Sequence, residues 1–132
     1  MDSLLNNATE ILLLIFLVIT FLQSGLDKIF DWNGNISWLK EHFSATFLKG
    51  VVPLLVATIL ILEILVAIIC LLGIYNILAM GKITYAFYGA ILSCITLLLL
   101  LFGQRIAKDY DGARTIVIYL VPAIFLVFLL QL

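Results

Sequence analysis

One carboxylate, Glu63, stands inside the apolar run 51–72, and no other residue asks so plainly for a chemical reason. A charge held near mid-bilayer costs about 2.5 kcal/mol or more on insertion scales, so such a side chain turns toward a bundle interior rather than lipid. Protonated and bonded to a hydroxyl, it is structural glue; ionised, it is a proton or cation site. Counting about 1.5 Å per residue from Gly50 sets it roughly 20 Å into its helix, a little past the midplane. Thr20, Ser93 and Thr96 fall at comparable depth and are its candidate hydrogen-bond partners.

A second concentration of polar side chains lies where the spans should meet the cytoplasm. Gln23, Asp27 and Asp31 recur at i, i+4 and i+8 and share one helix face. Gly103 to Arg114, with Gln104, Arg105, Lys108, Asp109, Asp111 and Arg114, joins the last two spans. The acidic stripe can therefore meet Arg105 or Arg114 across the bundle. Interfacial ion pairs with snorkelling cations explain such a cluster without a ligand; a pocket for a lipid or quinone headgroup, or for a protein partner, is the functional alternative.

Other chemistry is poorly provided for. Cys70 and Cys94 sit in different spans, roughly 10 Å or more apart in depth, too far for an easy disulfide. There is no Cys-x-x-Cys, and His42 is the sole histidine, so a self-contained thiol–disulfide enzyme and bis-histidine haem ligation within one chain are both set aside. No zinc-like spacing appears, no metal site or evident cofactor is expected, and a formal charge of -1 offers no basic surface for nucleic acid. No catalytic constellation is complete in this chain.

The elements that must position these residues follow from composition. With 65% hydrophobic and 11% charged residues in 132, a soluble domain would expose apolar patches that water-facing proteins avoid. The expected fold is all-α: a single polytopic membrane domain, a bundle of four transmembrane helices over about 10–29, 51–72, 83–102 and 113–130. The first run opens Met1-Asp2-Ser3 without Lys or Arg, unlike a secretory signal, so it is expected to be retained. Gly73 reads as the stop of the second span, Pro53 as a tolerated first-turn proline, and Pro122 as a kink in the fourth. Between the first two spans, Asn33-Gly34 marks a turn, and about 36–48 forms an amphipathic interfacial helix with Trp32 and Trp38 at headgroup depth. That helix is either a connector capping the bundle, or a lid or docking face. Lys28, Lys40, Lys49, Arg105, Lys108 and Arg114 flank the first and third loops and only Lys82 the second, which places both termini outside. Ala86, Gly89, Ala90 and Ser93 give small-xxx-small spacing for close helix approach, within the bundle or in a homodimer.

With these elements placed, the chain resembles the DoxX family of small four-helix membrane proteins. The likeness is carried by Ser24-Gly25-Leu26-Asp27-Lys28-Ile29 closing the first span, Leu62-Glu63 followed by Leu71-Leu72-Gly73 in the second, and Gly103-Gln-Arg-Ile-Ala-Lys-Asp-Tyr-Asp-Gly112 between the last two. It extends over nearly the whole length. The chain departs from the family pattern in lacking an Arg near the start of the first helix and in having Ala67 where glycine is common. The resemblance implies a bacterial cytoplasmic (inner) membrane bundle, in some relatives a subunit of a quinone-linked sulfur oxidoreductase and in others a partner of redox or envelope proteins.

Three functions compete on this basis. The first is a non-catalytic membrane subunit or scaffold, binding a lipid-like or quinone-like ligand or a protein partner through Glu63, Gln23, Asp27, Gln104, Arg105, Asp109 and Arg114. The second is a small proton-coupled transporter acting as a homodimer through Glu63, although no inverted repeat is visible. The third, which only the resemblance suggests, is a quinone-reactive subunit of an oxidoreductase complex.

Overall fold

The computed structural model describes residues 2–132. It contains six α-helices and one 3-10 turn: α1 Asp2–Asn6, α2 Ala8–Phe30, α3 Trp32–His42, a 3-10 turn Lys49–Val51, α4 Val52–Met80, α5 Thr84–Ile106 and α6 Tyr110–Leu130. No strand occurs among the described residues. Helices α2, α4, α5 and α6 are each long and apolar enough to cross a membrane, giving the all-α four-helix architecture of a multi-pass membrane protein.

The interior follows from side-chain size more than from hydropathy. When both bundle and surroundings are apolar, helices gain by packing backbones closely, so small residues sit at the closest helix contacts and large ones fill the wider gaps or face out. Ala67, Ala86, Ala90, Ala113 and Ala123 are buried, whereas Leu54, Ile61, Ile118 and Val121 are exposed. A Cβ built on Gly73 would lie 2.7 Å from Ala86 Cα, and one on Gly89 would lie 2.8 Å from Cys70 Sγ. The small-residue face of α5 thus seats against α4. Cys70 and Cys94 are both buried free thiols. Leu14, Leu17 and Phe21 of α2, with Leu126 of α6, complete the core.

Several boundaries differ from the sequence expectation. Gly73 does not stop the second span: a glycine inside a helix can serve close packing as well as termination, and α4 runs on to Met80. The stop is Gly81, in the left-handed region at φ 66, with its N–H donating to Ile77 O and that of Lys82 to Asn76 O. Asn33-Gly34 lies inside α3 rather than at a turn, and α3 covers Trp32–His42 where 36–48 was expected. Asn35 Nδ2 donates to Asp31 O at 2.8 Å, tying the start of α3 to the end of α2. The long third loop shrinks to 107–109, because α5 and α6 absorb its two ends. Lys108 closes α5 with φ 60, a left-handed conformation usually left to glycine or asparagine. Helix α6 is assigned continuously through Pro122.

The ends of α2 and α4 are not level. Gly25 faces Leu60 and Ile64, so α2 finishes about 8 Å before α4 begins. Helix α3 fills that step, with Ile36, Trp32, Leu39 and Phe43 packed on Val52 and Val56 of α4.

Candidate functional site

Glu63 does turn inward, and it is 2% exposed. Its partner is Lys28, whose Nζ lies 2.8 Å from Glu63 Oε1. The same ammonium donates to Ser24 Oγ at 2.9 Å. Contact angles at Oε1 fall short of a formed hydrogen bond, so the link is chiefly ionic and the oxygen keeps acceptor capacity.

Local helix geometry explains why a lysine near the end of α2 reaches a carboxylate deep in α4. Side chains on an α-helix lean toward its N-terminus, and for a residue in the last turn of α2 that direction is back into the bundle. Ser24, one turn earlier, receives the ammonium on the same face. The step between α2 and α4 does the rest, since Ser24 lies level with Glu63 once Gly25 is set beside Leu60 and Ile64.

The candidate hydroxyl partners are otherwise engaged. Ser93 Oγ donates to Ala90 O at 2.7 Å, and Thr96 Oγ1 to Leu92 O at 2.8 Å, each within α5. Thr96 does share the depth of Glu63 in the α4–α5 register, but its proton stays on its own backbone. Thr20 is half-buried on α2, a turn beyond Ser24, and Glu63 Oε1 accepts no hydrogen bond from it.

Beside the ion pair lies a cavity of about 340 Å³, within the range of small-molecule sites. Leu39 and Phe43 form one wall, Leu55 and Ile59 of α4 a second, and Leu99 and Leu100 of α5 a third. Lys28 is the one charged residue of its lining among the described residues; Thr58 and Gln104 are the polar ones. Thr58 Oγ1 is already donating to Leu54 O.

The other expected site residues separate into two groups. Gln104 and Asp109 do come together, around His42. His42 Nε2 is 3.0 Å from Gln104 Oε1 and 3.6 Å from Asp109 Oδ2. Its ring stacks on Trp38 with centroids 4.7 Å apart and meets Phe43 edge-on. Asp109 Oδ1 also accepts from Gly112 N and so caps α6. Helix α3 is thereby pinned to the α5–α6 junction across one side of the cavity.

Gln23 and Asp27, by contrast, are exposed on α2. Arg105 lies over the Tyr110 ring at 4.8 Å, and Arg114 bonds to Asp111 at 2.9 Å, one turn away on the same helix. The meeting of the acidic stripe with Arg105 or Arg114 that the spacing allows is therefore not formed: local i, i+3 geometry supplies Arg114 with a nearer carboxylate. No group of three metal-ligating side chains is gathered among the described residues.

Sequence reasoning missed Lys28 and His42 as members of the site. The signal for Lys28 was present as the Ser24/Lys28 spacing on a face that also carries Gly25; for His42 there was none beyond its solitary occurrence. Comparison with protein-family models, curated proteins and solved structures finds no match for the chain.

Proposed function

We propose that the chain is a DoxX-like integral membrane subunit or scaffold, without catalysis of its own, that holds a lipid-like or quinone-like amphiphile or a protein partner at the Lys28–Glu63 cavity. The observation that carries this reading is the conjunction of an apolar cavity with Lys28 at its wall, held there by the buried Glu63 behind it. Apolar walls take a hydrophobic body, and a few placed polar groups fix its head. A structural ion pair alone explains neither the cavity nor the separate polar link that pins α3 beside it.

In this reading Lys28 forms the polar end and Glu63 holds it from behind, while Gln104 and Asp109 act through His42 on α3. Gln23, Asp27, Arg105 and Arg114 belong to the headgroup layer. The resemblance implies the bacterial cytoplasmic membrane, and the uneven Lys and Arg distribution supports an orientation there with both termini on the periplasmic side. The ion pair weighs against the exchanger alternative, since a carboxylate held 2.8 Å from a lysine is already committed to a fixed cation.

Purification of the chain from its native membrane in mild detergent tests the reading. A stoichiometric lipid, quinone or protein partner, lost on Leu55→Trp within the cavity wall, is the expected result. A ligand-free monomer overturns it.

A further inference from the structure

We propose that the cavity selects an uncharged lipid whose polar end is one hydroxyl or carbonyl oxygen, and that the Lys28–Glu63 pair sets this selection by its electroneutrality. The inference rests on the binding function proposed above and adds the ligand's charge class.

The argument is one of charge and of hydrogen-bonding capacity. Lys28 is the sole charged side chain lining the cavity among the described residues, and its charge is balanced by Glu63 at 2.8 Å. An anionic headgroup would enter an apolar space without a free cation to meet it, and a cationic one would meet an ammonium. Either brings an uncompensated charge into low dielectric. A neutral oxygen has neither difficulty.

Donors and acceptors agree with this. An ammonium has three protons; Ser24 Oγ at 2.9 Å takes one, while Glu63 Oε1 at 2.8 Å balances the charge without accepting a formed hydrogen bond. The remaining contact, to Ser24 O, is 3.5 Å long and weak. One donor is thus poorly used beside the cavity and suits an oxygen acceptor. Gln104 offers no competing amide: its Oε1 faces His42, and its Nε2 lies 2.7 Å from where a Cβ on Gly112 would stand. The carboxamide is therefore turned toward the α5–α6 junction, leaving Lys28 as the polar contact.

The test uses two photoreactive probes with the same diazirine-bearing alkyl chain, a fatty alcohol and its sulfate ester. Each is added to the full chain in phosphatidylcholine vesicles, and labelling is mapped by mass spectrometry. Labelling of Leu39, Phe43 and Ile59 is normalised to that of Ile61 and Ile118, which face outward. The wild-type cavity is expected to favour the alcohol roughly tenfold. Glu63→Gln leaves the ammonium unbalanced in a near-isosteric site, and preference is expected to reverse toward the sulfate.

Equal labelling by both probes, or a preference for the sulfate in the wild type, overturns the inference and leaves the binding function standing. Neither probe enriched over Ile61 and Ile118 means annular lipid only, and overturns both. Should Glu63→Gln not fold, Thr58→Lys decides, since it adds an unbalanced ammonium to the cavity lining while leaving the pair intact: the preference is expected to shift by about tenfold toward the sulfate, and persistence of the preference for the alcohol refutes the proposal.

Discussion

Removing the cation from Lys28 while keeping its length, as in Lys28→Met, isolates what the Glu63 partnership contributes. Glu63 is 2% exposed and the lysine side chain 15%, so bulk water screens the pair little. Deleting one member of a buried pair leaves the other uncompensated and costs about 3–5 kcal/mol, whereas replacing both with neutral groups of similar shape is often neutral or stabilising. Lys28→Met should therefore lower stability by about 3 kcal/mol, and Lys28→Met/Glu63→Gln by less than about 1 kcal/mol. Glu63→Gln alone should cost only about 1 kcal/mol, because the freed ammonium keeps Ser24 Oγ and some exposure. The double-mutant cycle then gives a coupling of about 3 kcal/mol between residues 35 positions apart in sequence. Reversible unfolding in bicelles, followed by steric trapping so that the membrane-embedded state is the reference, measures all four corners. If the double variant is as unstable as the sum of the two singles, the residues act independently and the ion pair is not what holds Glu63 inside.

The glycines offer a contrast between a rigid and a yielding neighbour. Gly73→Ala drives a methyl toward Ala86 backbone atoms at 2.7 and 2.8 Å and should cost about 1–3 kcal/mol, while Gly25→Ala meets only the movable tip of Ile64 and should cost less than half as much in the same unfolding assay. A greater loss at Gly25 would refute the α4–α5 register. His42→Ala removes the polar link from α3 to Gln104 and Asp109 and should cost about 1 kcal/mol. It also unstacks Trp38, so the Trp38 emission of a Trp32→Phe background should change in intensity on that substitution; an unchanged spectrum would place α3 elsewhere.

Much of this fold was legible because membrane helices declare themselves by length and hydropathy alone. The four spans, the inward turn of Glu63 and the close-packing face of Ala86, Gly89 and Ala90 all follow from local chemistry. The stagger between helices did not, because it is set by which small residues find each other across the bundle. Counting depth from the helix ends treated α2 and α4 as level, and so proposed Thr20 in place of Lys28, while Ser93 and Thr96 failed because their hydroxyls bond to their own helix. The same limitation hid His42: its partners are 62 and 67 residues away and are brought near only when α3 drops into the step below α2. Gly73 carried two meanings, stop or close approach, and only its tertiary neighbour Ala86 separates them.

The unequal lengths of the spans bear on the surrounding lipid. With 29 residues α4 is about 44 Å long, whereas the 21 residues of α6 make about 32 Å. Fitting α4 wholly into a hydrocarbon layer of about 30 Å would require a tilt near 47°, beyond the usual range. Its ends must therefore stand in the headgroup zone, while α6 fits almost upright. The helix on one flank is thus about 12 Å longer than that on the other, and the excess lies among headgroups rather than in stretched hydrocarbon. Exposed Leu54, Leu78 and Met80 near the ends of α4 are thereby carried to the level of the headgroups.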